Sequence, residues 1–406
     1  MSKIKIKNFG PIKEGYLKNR GFLDINKVTF FVGNQGSGKS TVAKLISTFT
    51  WMEKALVRGD YDKKWFSKDG ILQSYFNYHR INNYFHKETE LTYLGEAYNI
   101  KYKNDITTID KVKGSNYALP QVMYVPAERN FITNAEDPKR YKEVSNSLIE
   151  FLSEYTKSYR SLKNPALLPI NNVYVEYEKS NDTVTLKGND YKIRLSEASS
   201  GFQSFVPLYL ASQYLCKKVK DLKNSESMSS DEKRRFSEMT AEIFTNKSLT
   251  DEQKRIAISE IGKKFNKTTF INIIEEPEQN LYPTSQLKML LSLLEFNNEE
   301  QGNKLIITTH SPYLINCMTL VVKANELRKK IKTNDFEKKL HNIISLKSII
   351  DSKDLSIYEF DEKKGAIKIL DTYEGLPSDE NKLNEELNES NILFAKLLEI
   401  QEQLCV

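Results

Sequence analysis

Gly33-Asn34-Gln35-Gly36-Ser37-Gly38-Lys39-Ser40 is the stretch that decides how this chain reads. Its spacing is G-x-x-x-x-G-K-[ST], in which glycines let the backbone curl until successive N–H groups face an anion. The flanks agree. Val28-Thr29-Phe30-Phe31-Val32 reads as a buried strand entering the loop, and Thr41-Val42-Ala43-Lys44-Leu45-Ile46 as an amphipathic helix leaving it. The helix N-terminus adds the positive end of its dipole. This is the chemistry of a nucleoside triphosphate site: Lys39 neutralises β/γ-phosphate charge and Ser40 offers its hydroxyl oxygen to Mg²⁺. Gly33, Asn34, Gln35, Gly36, Ser37, Gly38, Lys39, Ser40 and Thr41 are the candidate binding residues, with ATP and Mg²⁺ the expected cofactors.

Working outward, 406 residues suffice for one large or two ordinary domains, and a hydrophobic share of 39% against 28% charged allows a sizeable core. Lys and Arg number 60 against 54 Asp and Glu, a net +6 that is too small to argue for nucleic acid. The basic run Lys329-Lys330-Ile331-Lys332 reads as a solvated helix face. Cys216, Cys317 and Cys405 lack metal-type spacing and are expected as reduced thiols in the cytoplasm. The opening Met-Ser-Lys-Ile-Lys-Ile-Lys alternates charge and aliphatic residues, which predicts an edge strand and no signal peptide. No apolar run approaches the ~18 residues a membrane helix needs.

The fold class expected is α/β with a mixed sheet, flanking helices and helical insertions. The nucleotide-binding domain is assigned to 1–55 and 120–320. Residues 56–119 are expected as a helical insertion cored by Phe76, Tyr84 and Phe85. Residues 206–268 are expected as a helical lid or arm, broken near Asn224–Ser230. Residues 321–406 are expected as a C-terminal α/β extension, with a small strand pair near Ser356–Phe360 and Ala366–Leu370.

Three further segments carry chemistry. Phe270-Ile271-Asn272-Ile273-Ile274-Glu275-Glu276-Pro277-Glu278 is an apolar strand ending in acids. It lies beside the phosphates if it neighbours the strand that feeds the loop. Glu275 would then hold Mg²⁺ through water, and Glu276 would orient and deprotonate the attacking water. Leu305-Ile306-Ile307-Thr308-Thr309-His310-Ser311-Pro312 ends a second strand in a histidine able to sense the γ-phosphate. Ser196-Glu197-Ala198-Ser199-Ser200-Gly201-Phe202-Gln203-Ser204 precedes an apolar helix, making an N-terminus suited to an anion.

In this order the segments resemble the ABC-type ATPases of the SMC, RecF and OLD (overcoming lysogenisation defect) group. The resemblance rests on Asn8-Phe9-Gly10-Pro11-Ile12, Gly33–Thr41, Ser199–Gln203, Glu275–Leu281 and Thr308–Pro312, and spans 1–50 and roughly 120–320. The Glu-Glu-Pro-Glu and Thr-His-Ser-Pro forms are similar to those of stand-alone ATPases from bacterial anti-phage modules. The resemblance implies a homodimer or higher oligomer with composite ATP sites. In it, Ser200 and Gly201 reach the γ-phosphate held by a second copy, and Glu278-Gln279-Asn280-Leu281 lines the seam.

The chain also departs from that pattern. Glu275 replaces the usual aspartate, Phe202 stands where a second glycine is common, and Glu128 and Arg129 occupy the place of the Q-loop glutamine. Residues 311–406 lack the acid cluster of the Toprim nuclease that follows the OLD ATPases, so no nuclease is expected within this chain. Three functions stay open. The first is an ATPase that senses for, or regulates, a separately encoded effector nuclease or toxin in phage defence. The second is a RecF-like clamp on DNA. The third is a scaffold that sequesters a partner with slow turnover. A membrane partner is not expected.

Overall fold

The computed structural model describes residues 2–114, 117–134, 144–221, 230–246 and 248–404. Strands β1 (Lys3–Phe9), β2 (Gly15–Tyr16) and β3 (Phe22–Asp24) precede β4 (Val28–Gly33), which feeds the phosphate loop. Helix α1 (Lys39–Arg58) leaves that loop and stops at Gly59, whose φ of +78° turns the chain left-handed. Short helices α2 (Lys63–Phe66) and α3 (Ile71–Phe76) lead to strands β5 (Phe85–Leu94), β6 (Tyr98–Lys103) and β7 (Ile106–Lys111). After β8 (Pro120–Val125) come α4 (Phe131–Asn134) and α5 (Asn146–Arg160). Strands β9 (Ala166–Leu167), β10 (Tyr174–Glu178), β11 (Thr183–Lys187) and β12 (Lys192–Arg194) form a separate small sheet. Helices α6 (Ser200–Lys220), α7 (Ser230–Thr245) and α8 (Asp251–Phe265) precede β13 (Thr269–Glu275). The chain ends with α9 (Pro283–Asn298), β14 (Lys304–Thr309), α10 (Pro312–Lys330), α11 (Asn334–Ile343), β15 (Leu355–Asp361), β16 (Ala366–Ile369) and α12 (Lys382–Leu404).

The main sheet has seven strands in the order β2-β16-β15-β4-β14-β13-β8. From β15 to β8 neighbouring strands run parallel, and β16 pairs antiparallel with β15, so the sheet is mixed. The α/β class and mixed sheet are as expected, with β4, the Gly33–Ser40 loop and α1 in strand–loop–helix order. Strands β4 and β13 are buried along their whole length, as parallel strands covered on both faces must be. Alternate residues feed two cores. Val28, Phe30, Leu305, Ile307 and Phe270 join the core under α6, α9 and α10, whereas Phe31, Ile306 and Ile273 join the core under α1. Asn272 interrupts the apolar run of β13, and its Nδ2 donates to Ser212 Oγ on α6 at 3.0 Å.

Several expectations need correction. Residues 85–111 are not helical: β5, β6 and β7 join β1 and β3 in a five-stranded antiparallel sheet. The physical reason is a period of two, with Thr89, Leu91 and Tyr93 buried between more exposed neighbours. Asn104 and Asp105, both at positive φ, make the tight turn that pairs β6 with β7. Helices in this region are confined to short pieces before residue 85. Phe76 and Phe85 do belong to a core, packed edge-on at 5.7 and 5.1 Å against Phe9. Nor is β1 an edge strand, because β3 and β5 flank it. The strand pair expected as part of a C-terminal extension is instead built into the main sheet, with β15 directly beside β4.

Residues 200–220, 230–245 and 251–265 are helical, as expected for the 206–268 region. The break expected near Asn224–Ser230 lies outside the described residues except for Ser230, which opens α7. Cys216 and Cys317 are free and buried, and Cys405 lies outside the described residues. Among the described residues no helix is long and apolar enough to cross a membrane.

Candidate nucleotide site

Parallel strands bring their carboxyl ends to one sheet edge, where α/β sheets bind ligands. Here β4 ends in the phosphate loop, β13 in Glu275 and β14 in Thr309, just before His310. The acidic strand does not neighbour β4; β14 lies between them, with Glu275 opposite Thr308 and Thr308 opposite Phe31. The sequence condition of direct adjacency therefore fails, yet the shared register still aligns Glu275 and His310 with the loop.

Gly38 adopts φ +103°, and a Cβ there would come within 2.8 Å of Ile12 Cγ1, so the Asn8–Ile12 turn packs against the loop. Gly33, at φ +143°, is crowded by the Phe360 carbonyl of β15. Lys39 donates to the loop's own carbonyls, Gly33 O at 2.9 Å and Asn34 O at 2.7 Å. Burial lowers its ammonium to about 8, while Glu276, Glu278, Glu275 and Glu362 pull it back up. Phosphate oxygens offer stronger acceptors for the same ammonium. Asn34, Gln35 and Gly36 are exposed, Ser37 and Thr41 are buried, and Ser40 is half-buried at the mouth of α1.

The two acids differ in environment. Glu275 is buried; it accepts from the Tyr124 hydroxyl and from the Ala127 N–H at 3.2 Å, and Lys44 Nζ stands 3.8 Å away. Glu276 adopts φ +43°, and its N–H donates to Thr308 O at 2.9 Å. Left-handed backbone at a non-glycine costs about 1–3 kcal/mol, so the surrounding bonds must hold it. Its carboxylate Oε1 lies 3.4 Å from His310 Nε2. That histidine holds the Glu276 carboxyl below the usual range, against an opposing contribution from burial. Glu278 accepts from Thr309 Oγ1 at 2.7 Å and from the His310 N–H at 2.8 Å. Burial raises its carboxyl, and these bonds only partly offset that.

Arg129 is the residue sequence reasoning left without a role. Its guanidinium is fully buried and donates to four carbonyls: Glu275 O at 2.7 Å, Glu276 O at 2.6 Å, Ser204 O at 3.1 Å and Pro126 O at 3.3 Å. Burial lowers it to about 10, which leaves it charged at neutral pH. One side chain thus ties the acid-bearing turn to α6. No motif signals this; only an arginine in a short segment after an apolar strand does. Glu362 was also missed. It follows β15, accepts from Lys382 Nζ at 2.6 Å and engages the Asn34 side chain of the loop.

Ser200 and Gly201 begin α6, N-capped by Ser199. Ser200 is exposed, and a Cβ on Gly201 would lie 2.7 Å from Asn280 O. Within one chain, then, the structure gathers Lys39, Glu275, Glu276 and His310, and sets Ser200 and Gly201 against the Asn280 turn. A Mg²⁺ ion suits the donors present. Ser40 supplies a hydroxyl, and both Glu275 oxygens keep lone pairs for metal-bound water. Among the described residues no group of three His, Cys, Asp or Glu could hold a metal, so such an ion would rely on phosphate and water.

A family model described as an AAA ATPase domain matches residues 61–315. That span begins after the phosphate loop and takes in β8, the Ser199–Gln203 segment, Glu275, Glu276 and His310. No curated protein matches the sequence. The chain is similar to the SMC head domain from Thermotoga maritima, with TM-score 0.37 and 11% identity over 91% of this chain and 98% of that one. A Pyrococcus furiosus Smc head bound to the C-terminal domain of ScpA gives TM-score 0.37 and 11% identity, covering 100% of both chains. A dimeric ATP-binding cassette in a post-hydrolysis state with ADP and Pi gives TM-score 0.26 and 13% identity over 92% and 100%.

Proposed function

The chain belongs to the AAA ATPase domain family, and from that premise we propose how it hydrolyses ATP and what the hydrolysis serves. ATP binds with its phosphates on the Gly33–Thr41 loop. Lys39 exchanges its carbonyl partners for β/γ-phosphate oxygens, and Ser40 and Glu275 are the residues that would hold Mg²⁺. When bound, the ion neutralises charge that develops on the phosphates. Glu276 takes a proton from the attacking water as its oxygen bonds to the γ-phosphorus and the β–γ bridging bond breaks. His310 contacts the γ-phosphate and registers its loss. Ser200 and Gly201 of a second copy close the site, so ATP joins two heads and hydrolysis releases them.

The observation that carries this reading is Glu276. It is held in a left-handed turn with its carboxylate 3.4 Å from His310, on the sheet edge where the phosphate loop opens. Support for the biological role comes from the Glu-Glu-Pro-Glu and Thr-His-Ser-Pro forms, similar to those of anti-phage ATPases. In that role the dimer is a sensor whose ATP state controls a separately encoded nuclease or toxin.

The test is the solution mass of the Glu276→Gln variant with and without ATP–Mg²⁺. We expect the 47.0 kDa chain to double its mass on ATP, and Lys39→Ala to abolish that change. A mass that ATP leaves unaltered removes the composite site, and a large particle already present without ATP favours a scaffold.

A further inference from the structure

Two apolar faces stay open on this chain, and both belong to helices that start at the edge of the nucleotide site. The first is on α12, whose base is fixed. Leu383 is buried, Lys382 Nζ meets Glu362 at 2.6 Å, and Asn384 Nδ2 approaches Asn316 Oδ1 of α10 at 3.5 Å. Glu362 in turn engages Asn34 of the phosphate loop. Past that base, every side chain from Asn391 to Gln403 is exposed. Leu393, Leu397 and Ile400 form one helical row with Phe394 and Leu398 beside it, and Phe394 and Leu397 are 61% and 62% open. Residues 385–404 carry five glutamates against one lysine. Glu399 and Glu402, near the tip, have no ion-pair partner among the described residues.

The second face lies on α10 and α11. Leu320 and Leu327 open outward from α10, seven residues apart, as Phe336 and Ile343 do from α11. Arg328 Nε, 3.9 Å from Glu337 Oε1, ties the two helices together. Here the charge is opposite. The run Lys329-Lys330-Ile331-Lys332 closes α10. Lys329 pairs with Asp351, but Lys330 and Lys332 are exposed and without a partner among the described residues.

A chain cannot cover its own α10 with its own α12. The two helices begin side by side, yet α12 has no glycine or proline at which to bend back. A second copy meets no such limit. At 1.5 Å per residue, Glu402 lies about 30 Å from Lys382, and Lys330 about 27 Å from Pro312 at the start of α10. Acidic tip and basic end therefore lie equally far from the nucleotide edge. We propose that α12 of one copy docks along the α10–α11 face of a second copy, and reciprocally, as a clasp on the pair that ATP joins. Apolar side chains fill the contact, and the opposite charges set its direction. Twofold symmetry makes two such contacts and leaves neither face open.

The clasp rests on the ATP-joined pair proposed above, and the test separates the two. In Glu276→Gln protein with ATP–Mg²⁺, dimer dissociation is read from mass against concentration. Phe394→Ser with Leu397→Ser alters side chains that are open in the single chain. It should weaken the dimer by about tenfold or more, as expected for losing two apolar anchors. Lys330→Glu with Lys332→Glu should weaken it too, and adding Glu399→Lys with Glu402→Lys should restore it. For a direct reading, Leu397→Cys copies are mixed with Leu327→Cys copies, both carrying Cys405→Ser, and treated with a short bis-maleimide. The mixture should yield a linked species of twice the chain mass that neither variant gives alone. If the parent does not double on ATP, the composite-site reading fails and the mixed cross-link alone decides the clasp. The clasp is overturned if the serine variant dimerises as tightly as the parent or the charge exchange restores nothing. It is equally overturned if the mixture does not link, if Leu397→Cys copies link to one another, or if linking needs both cysteines in one chain.

Discussion

Replacing Arg129 by methionine keeps a long apolar stem and removes the guanidinium that donates to Glu275 O, Glu276 O, Ser204 O and Pro126 O. The Glu275 and Glu276 carbonyls lose the two closest of these bonds, at 2.7 and 2.6 Å. A buried acceptor left unpaired costs about 1–3 kcal/mol, and breaking one side of a buried charged cluster typically costs about 3–5 kcal/mol. We therefore expect a loss of about 3–5 kcal/mol. For a chain of this size that lowers Tm by about 6–10 °C, at roughly 2 °C per kcal/mol. Catalysis should suffer beyond stability, because the left-handed turn that aims Glu276 is held from below by this side chain. ATP turnover should fall by more than about tenfold while nucleotide affinity, set by the phosphate loop, changes little. Arg129→Lys, which keeps the charge but cannot reach four carbonyls, should lie between. Thermal unfolding, steady-state ATP hydrolysis and nucleotide titration on the same preparations supply the readouts. A methionine variant that melts within ~2 °C of the parent and turns over ATP normally refutes the role given to Arg129.

Four further outcomes follow from the site. Glu276→Gln should cut turnover by about 10²–10⁴-fold while ATP still binds, the usual loss for a general base; unchanged single-turnover rates would assign the proton elsewhere. His310 holds the Glu276 carboxyl down, so its contribution is present above the unfolded carboxyl value of about 4.3 and is lost as pH falls through the lower folded one. The acid limb of kcat/KM should accordingly lie below ~4.3 and move up in His310→Ala; a limb that stays put dismisses the contact. Glu278 has the opposite sign: burial raises its carboxyl, so the folded state is favoured at low pH and loses that advantage as pH rises through the raised value. Glu278→Gln keeps the acceptor for Thr309 and His310 and should gain about 1 kcal/mol at pH 8 relative to pH 5, read as a wider Tm difference. Gly201→Ala puts a Cβ 2.7 Å from Asn280 O. It should lose about 1–2 kcal/mol and ATP-driven assembly, because overpacking against backbone outweighs the ~1 kcal/mol helix gain of alanine. A more stable variant that still assembles would show that the close approach is dispensable.

The sequence by itself determined the features that depend on local spacing. The Gly33–Ser40 loop and the apolar strands ending in Glu275 and before His310 stand where residue pattern places them. Glycines at fixed offsets and charges at strand ends specify their own geometry, so these needed no knowledge of neighbours. Period-two alternation in residues 85–94 is equally local and does form β5, although the aromatic residues just before it mimic helical spacing. What only the tertiary structure decided is who stands next to whom. Strand order put β14 between β4 and β13, seated β15 beside the phosphate loop, and so delivered Glu362 to Asn34. Folding also drove Arg129 into the interior beneath Glu275 and Glu276, and buried His79 against Tyr78 and Tyr124 with neither ring nitrogen hydrogen-bonded among the described residues. These arrangements rest on burial between segments tens to hundreds of residues apart. A side chain's neighbours across a sheet leave no trace in the spacing along its own strand.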